Sequence, residues 1–139
     1  MSDELRTLVD RSELIQLVDR LGRWLDERRW DEAPSLFTAD ATAETPGGVA
    51  CGRDALVAQA RRNHDEHPTQ HVISNRIVEL DGDRATVHAN LIVTFAVPGA
   101  PSQLGERYRF EARRTEAGWR LASVHVRPLW RTGVTRAAA

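Results

Sequence analysis

One cysteine, Cys51, is all that 139 residues contain, so the chain can form no internal disulfide and no cysteine cluster for a metal. Charge of one sign is also missing: 19 Lys and Arg against 20 Asp and Glu, with a pI near 6.5, create no field to gather phosphates or an anionic bilayer. Neither nucleic acid nor a membrane is therefore an expected partner. No apolar run approaches the roughly 20 residues that cross a bilayer. The opening MSDELRTLVDRSELIQLV lacks the basic start, apolar run and small-residue site of an export signal. The expected setting is a reducing cytoplasm.

Catalytic signatures are equally scarce. The serines lack a Gly-x-Ser-x-Gly turn, and Gly47-Gly48 precedes no strand-to-helix phosphate cradle. His64, His67 and His71 show neither His-Glu-x-x-His spacing nor a cysteine pair, so no metal site is expected. Nucleophilic hydrolysis, nucleotide binding and metal chemistry all lose ground, and no cofactor is implied.

What remains is a strongly periodic chain of one-domain length. Leu5, Leu8, Val9, Leu14, Leu17, Val18, Leu21, Trp24 and Leu25 recur at three and four, which predicts a helix from Leu5 to Trp30 with one buried face. Asp31 and Pro34 mark a helical restart, with Leu36 and Phe37 turned inward and Thr38 to Asp40 ending it. A third helix is expected over Ala55 to Arg62. Gln70 to Leu80 and Arg84 to Val97 are rich in Val and Ile and flank Asp81-Gly82-Asp83, a hairpin signal. Arg107 to Thr115 and Trp119 to Val126 follow as a second pair around Glu116-Ala117-Gly118. Three N-terminal helices and then a strand meander define the α+β class, a curved antiparallel sheet packed on helices. The domain is expected over 1–131, with 132–139 as a mobile tail.

Two residues stand out for chemistry. At about 100° per residue, Asp26 projects close to Ile15 and Gly22, at the apolar margin of the first helix. A carboxylate there costs several kcal/mol unless a partner compensates it. His71 opens the first long strand and shares a face with Ile73, Asn75 and Ile77. If the hairpin turns tightly at Gly82-Asp83, His71 faces Thr94, Asn75 faces Asn90 and Ile77 faces His88. One face then collects two histidines and two asparagines, unless it is the wet outer face. An imidazole with a pKa near 6.5 moves protons at neutrality, a carboxylate beside it fixes its tautomer, and Asn75 and Asn90 would serve a substrate carbonyl. Trp24, Trp30 and Phe37 supply apolar wall for an aromatic ligand. Tyr108, alternating with Arg107 and Arg109, points inward with its hydroxyl as donor.

The order of residues resembles the SnoaL-like branch of the nuclear-transport-factor-2-like superfamily over nearly the whole chain. The carriers are Leu25-Asp26-Glu27-Arg28-Arg29-Trp30-Asp31-Glu32, Leu36-Phe37-Thr38-Ala39-Asp40-Ala41, Gly52-Arg53-Asp54-Ala55-Leu56, Gln70-His71-Val72-Ile73-Ser74-Asn75, Leu80-Asp81-Gly82-Asp83-Arg84-Ala85-Thr86 and Gly118-Trp119-Arg120-Leu121. The resemblance implies a cone-shaped domain with a pocket inside the sheet, and a homodimer. It implies that Asp26 and His71 match the acid–base pair of cyclase-like and dehydratase-like members, with His88 as a match to a second histidine. The expected activity is cyclisation or dehydration of a polyketide-like or other aromatic carbonyl compound. A catalytically silent ligand-binding or dimerisation module and, further back, epoxide hydrolysis are the rivals. Leu21 stands where a tyrosine is common, and Glu44 where many relatives place a pocket aromatic.

Overall fold

The computed structural model describes residues 1–133. Helix α1 spans Asp3–Asp26, capped by Ser2, whose Oγ accepts from the Leu5 N–H at 3.2 Å, with Asp3 and Glu4 complementing the positive helix end. Leu14, Leu17, Val18, Leu21, Trp24 and Leu25 form its buried face. Leu5, Leu8 and Val9, expected to continue that face, are exposed. A helix of 24 residues is roughly 36 Å long, and its first turns overrun the surface that the rest of the domain offers. Asp10 marks where burial begins. It accepts both Arg114 guanidinium nitrogens (2.8 and 2.9 Å) and the Trp119 indole N–H (3.2 Å), tying α1 to the far strands.

The helical restart is a 3₁₀ turn over Trp30–Ser35, and Phe37 already opens a strand. Thus β1 (Phe37–Thr45) absorbs Thr38 to Asp40, which end no helix, and pairs with β2 (Gly48–Cys51). Helix α2 (Arg53–His64) starts at Gly52, whose φ of 92° favours glycine. The four long strands are β3 (Thr69–Asp81), β4 (Arg84–Phe95), β5 (Ser102–Thr115) and β6 (Gly118–Thr132). The sheet order is β2-β1-β6-β5-β4-β3, antiparallel except for the parallel β1–β6 pair. It is curved and unclosed, with α1 packed mainly on β3 and α2 on β1. Only Thr132 and Gly133 of the expected tail fall within the described residues, Thr132 as the end of β6, and 134–139 lie outside them.

The hairpin turn is as tight as expected, with Asp81 facing Arg84 and Ile77 facing His88. Between Ile77 and Ser74 the register slips by one, so that Asn75 and Arg76 together oppose Ala89. Asn75 carries the slip in the left-handed region, at φ 54°, which asparagine tolerates better than other side-chain-bearing residues. The physical effect is a change of face: His71 and Ile73 point inward on one side of the bulge, Val78 and Leu80 on the other. His71 therefore faces Val93, and Asn90 faces Ser74.

Replacing Asn75 tests this reading. Asn75→Val should lower unfolding free energy by about 1–2 kcal/mol, while Asn75→Gly should change it by less than about 0.5 kcal/mol, measured by urea titration. Equal losses in the two variants would mean that the backbone conformation is not what places Asn75 there.

Candidate active site

Asp26 is the last residue of α1, and its carboxylate meets the first turn of side chains on β3. Thr69 Oγ1–H donates to Oδ1 at 3.0 Å, the His71 backbone N–H donates to Oδ2 at 2.8 Å, and His71 Nδ1–H donates to Oδ1 at 2.6 Å. The close approach is made through Gly22, one turn earlier: a Cβ added there would sit 3.3 Å from Ile73 Cδ1 and 3.6 Å from His71 Cβ. Burial raises the Asp26 pKa, but the hydrogen bonds and charge of His71, with the Thr69 bond, outweigh it and hold the carboxyl below its ordinary value. The stabilisation this gives is complete above the ordinary aspartate range and fades as pH falls through the lowered value.

With Nδ1–H committed to the carboxylate, His71 keeps its lone pair on Nε2. That atom is buried with no hydrogen-bond partner, and the side chain is fully shielded. The ring lies against His64, with centroids 5.2 Å apart. His64 is the last residue of α2 and only 2% exposed; its Nδ1–H donates to the Ala60 carbonyl at 2.7 Å. Its Nε2 is likewise buried and unpartnered. Desolvation first, and then the neighbouring His71, push the His64 pKa down to about 4, so the ring is neutral at physiological pH.

His64, and neither Asp26 nor His71, forms part of the wall of a cavity; the pair itself lines a separate groove with Asp19, Gly22, Ile73 and Arg76, and the His64 ring stands between the pair and the cavity. The cavity has about 380 Å³ of empty space, its mouth included, but the centres of water-sized spheres fit in only about 40 Å³. That is room for a few waters or, with small side-chain shifts, a single ring. Trp24, Phe37 and Tyr108 line it as expected, together with Leu21, Ala43, Thr45, Gln59 and Val126. Desolvation pushes the Tyr108 phenol well above its ordinary pKa, so it stays protonated and able to donate. Trp30 stands behind the wall, edge-on to Trp24 at 5.0 Å.

Three expected lining residues are elsewhere. Asn75, His88 and Asn90 do gather, but on the outer face of the sheet, in a groove with Arg107, Arg109 and His125. Strand alternation decides this for β4, where Ala89, Leu91 and Val93 are buried and His88 and Asn90 exposed; the bulge decides it for Asn75. His88 Nε2 is spent on Glu79 at 2.9 Å. Glu44 also points outward, 3.5 Å from His125, and the cavity positions of β1 are Phe37, Ala43 and Thr45. Sequence reasoning missed His64 and Thr69. His64 had a signal: with Leu56 and Ala60 it follows a step of four along α2, the spacing of one helix face. Among the described residues, no group of three or more His, Cys, Asp and Glu is placed to hold a metal ion.

A curved, unclosed six-stranded sheet wrapped over one long N-terminal helix matches the nuclear-transport-factor-2-like cone fold. The sequence from 6 to 125 matches the family model of the SnoaL-like domain, and the chain belongs to that family. Solved structures agree on the fold. An NTF2-like protein with a cystatin-like fold from Novosphingobium aromaticivorans is 28% identical, with a TM-score of 0.81 over 91% of this chain and 86% of that one. A protein of the same organism provisionally named a scytalone dehydratase is 20% identical (TM-score 0.83, covering 95% and 93%). A type 2 hexachlorocyclohexane dehydrochlorinase is 17% identical (TM-score 0.84, covering 98% of each chain). No curated protein sequence matches.

The tautomer assignment is directly measurable. In a ¹⁵N-edited NMR titration, His64 should remain neutral and Nδ1-protonated down to about pH 5. Between about pH 6.5 and 4 the unfolded chain binds a proton that folded His64 refuses, so stability should fall as pH falls through that window. A His64 resonance titrating near 6.5 would contradict the burial and hydrogen bond described.

Proposed function

We propose that the chain is an acid–base lyase for a small carbonyl compound, in which its own side chains move the proton. One observation carries the reading: the 2.6 Å contact between Asp26 and His71, which leaves a buried, unpartnered Nε2 on His71. In this reading Nε2 takes a proton from the carbon next to the carbonyl. The electron pair of that C–H bond passes into the enolate, and Asp26 balances the imidazolium that forms. The imidazolium returns the proton to a hydroxyl on the next carbon, which leaves as water while the enolate collapses to the conjugated alkene. Ring closure onto a second carbonyl is the other fate open to the same enolate. Asn75 and Asn90 lie on the outer face, so the reading assigns the enolate oxygen to Tyr108, which keeps its proton in the cavity reached from His71 past the His64 ring, 5.2 Å away.

The names of two structural neighbours, dehydratase and dehydrochlorinase, are names of eliminations and accord with this reading. A silent binding module has less in its favour, because a binding wall gains nothing from a carboxylate locked onto a buried imidazole at its own desolvation cost. Epoxide hydrolysis would draw on Asn75 beside Asp26, and Asn75 faces away. The narrow cavity favours a substrate of one ring over a fused polycycle.

The test is proton exchange. In D₂O, single-ring β-hydroxy ketones should exchange their α-proton and lose water in the presence of the protein, followed by ¹H NMR. Asp26→Asn and His71→Gln should keep the wild-type circular dichroism spectrum and lose about 10²- to 10⁴-fold in rate. Full exchange activity in both variants would overturn the assignment.

A further inference from the structure

Two residues of the cavity wall each carry a buried polar atom that the protein itself does not use. Trp24 Nε1–H is a buried donor without a partner, and His64 Nε2 is a buried acceptor without one. Both side chains are only 2% exposed, and both line the cavity. The character of each atom is fixed. An indole N–H can only donate. His64 Nε2 can only accept while Nδ1–H is held by the Ala60 carbonyl, and the ring stays neutral near pH 7. Buried groups of this kind are normally satisfied, and leaving one donor and one acceptor on the same small cavity is costly unless a ligand completes them. Most of the remaining wall, Leu21, Phe37 and Val126 among it, is apolar; its other polar side chains are Thr45, Gln59, whose amide N–H donates to the Gly48 carbonyl, Asn63 and Tyr108.

We propose that the cavity selects a one-ring ligand bearing both a carbonyl and a hydroxyl, the carbonyl oxygen accepting from Trp24 Nε1–H and the hydroxyl donating to His64 Nε2. This rests on the proposed function for the carbonyl and adds to it the hydroxyl, a second point of recognition separate from Asp26 and His71. It also gives His64 a part distinct from its neighbour. Each imidazole offers a lone pair, but only His71 is backed by a carboxylate that can carry a positive ring, so His71 moves the proton and His64 reads the substrate.

The experiment is calorimetric titration of the protein with four probes: 3-hydroxyacetophenone, 4-hydroxyacetophenone, acetophenone and phenol. At least one hydroxyacetophenone should bind about 10- to 100-fold tighter than either acetophenone or phenol. His64→Phe should erase the preference over acetophenone while leaving acetophenone binding within about threefold, and Trp24→Phe should erase the preference over phenol. Should either variant fail to fold, the wild-type protein still answers: on saturation with the tighter hydroxyacetophenone, the His64 ¹⁵Nε2 and Trp24 indole N–H resonances should both shift. Equal affinity for all four probes, no binding by any, or shifts confined to other residues would overturn the proposal. Asp26→Asn should retain the probe preference. A preference retained there with full exchange activity would sink the catalytic reading alone, whereas lost exchange with no preference in any protein would sink this one alone.

Discussion

The carboxylate of Asp26 is the joint on which the site depends. It accepts three hydrogen bonds from two residues of β3, one of them from the backbone, and so fixes where the end of α1 meets the sheet. Half-buried, it would be a liability alone; with those bonds it is held ionised. The same three contacts orient the His71 ring and commit Nδ1, which is why Nε2 is the basic nitrogen left over. At the other end of α1, Asp10 works in the same way on Arg114 and Trp119. The long helix is thus pinned by a buried acid near each end of its covered stretch, and apolar packing from Leu14 to Leu25 fills the span between.

Tight helix–sheet contact at Gly22 brings His71 close to His64, and the two imidazoles, of opposite loyalties, lie ring to ring. His71 answers to a carboxylate and His64 to a backbone carbonyl. That difference in partner separates a ring able to carry charge from one that burial keeps uncharged. Aromatic packing also shapes the cavity: Trp24 in its wall is braced by Trp30 at 5.0 Å and Phe37 at 5.2 Å.

Much of the fold was legible in the chain. The period of α1, the tight turn at Gly82-Asp83 and the inward side of Tyr108 all rest on local patterns of three to four or two residues, and local patterns survive folding. Leu5, Leu8 and Val9 mark the limit of that reasoning. Their spacing promises a buried face, but whether anything lies opposite depends on the reach of the sheet. Phe37 illustrates another: read as the end of a helix, it opens a strand, because pairing with β6 outweighs the pull of the preceding turn.

The sequence by itself determined the residue types at the site, the helix that presents Asp26 and the strand that presents His71, because each follows from short-range periodicity and from the cost of burying a carboxylate unpaired. Tertiary structure alone decided which other polar residues join them. One bulged residue, Asn75, reverses the two-residue alternation of β3, and the alternation of β4 sends His88 and Asn90 to the outer face. His64, the last helical residue before a loop, becomes part of a cavity wall through the packing of α2 against the sheet. A face is a property of register and of what packs against it, and neither is carried by any single stretch of chain.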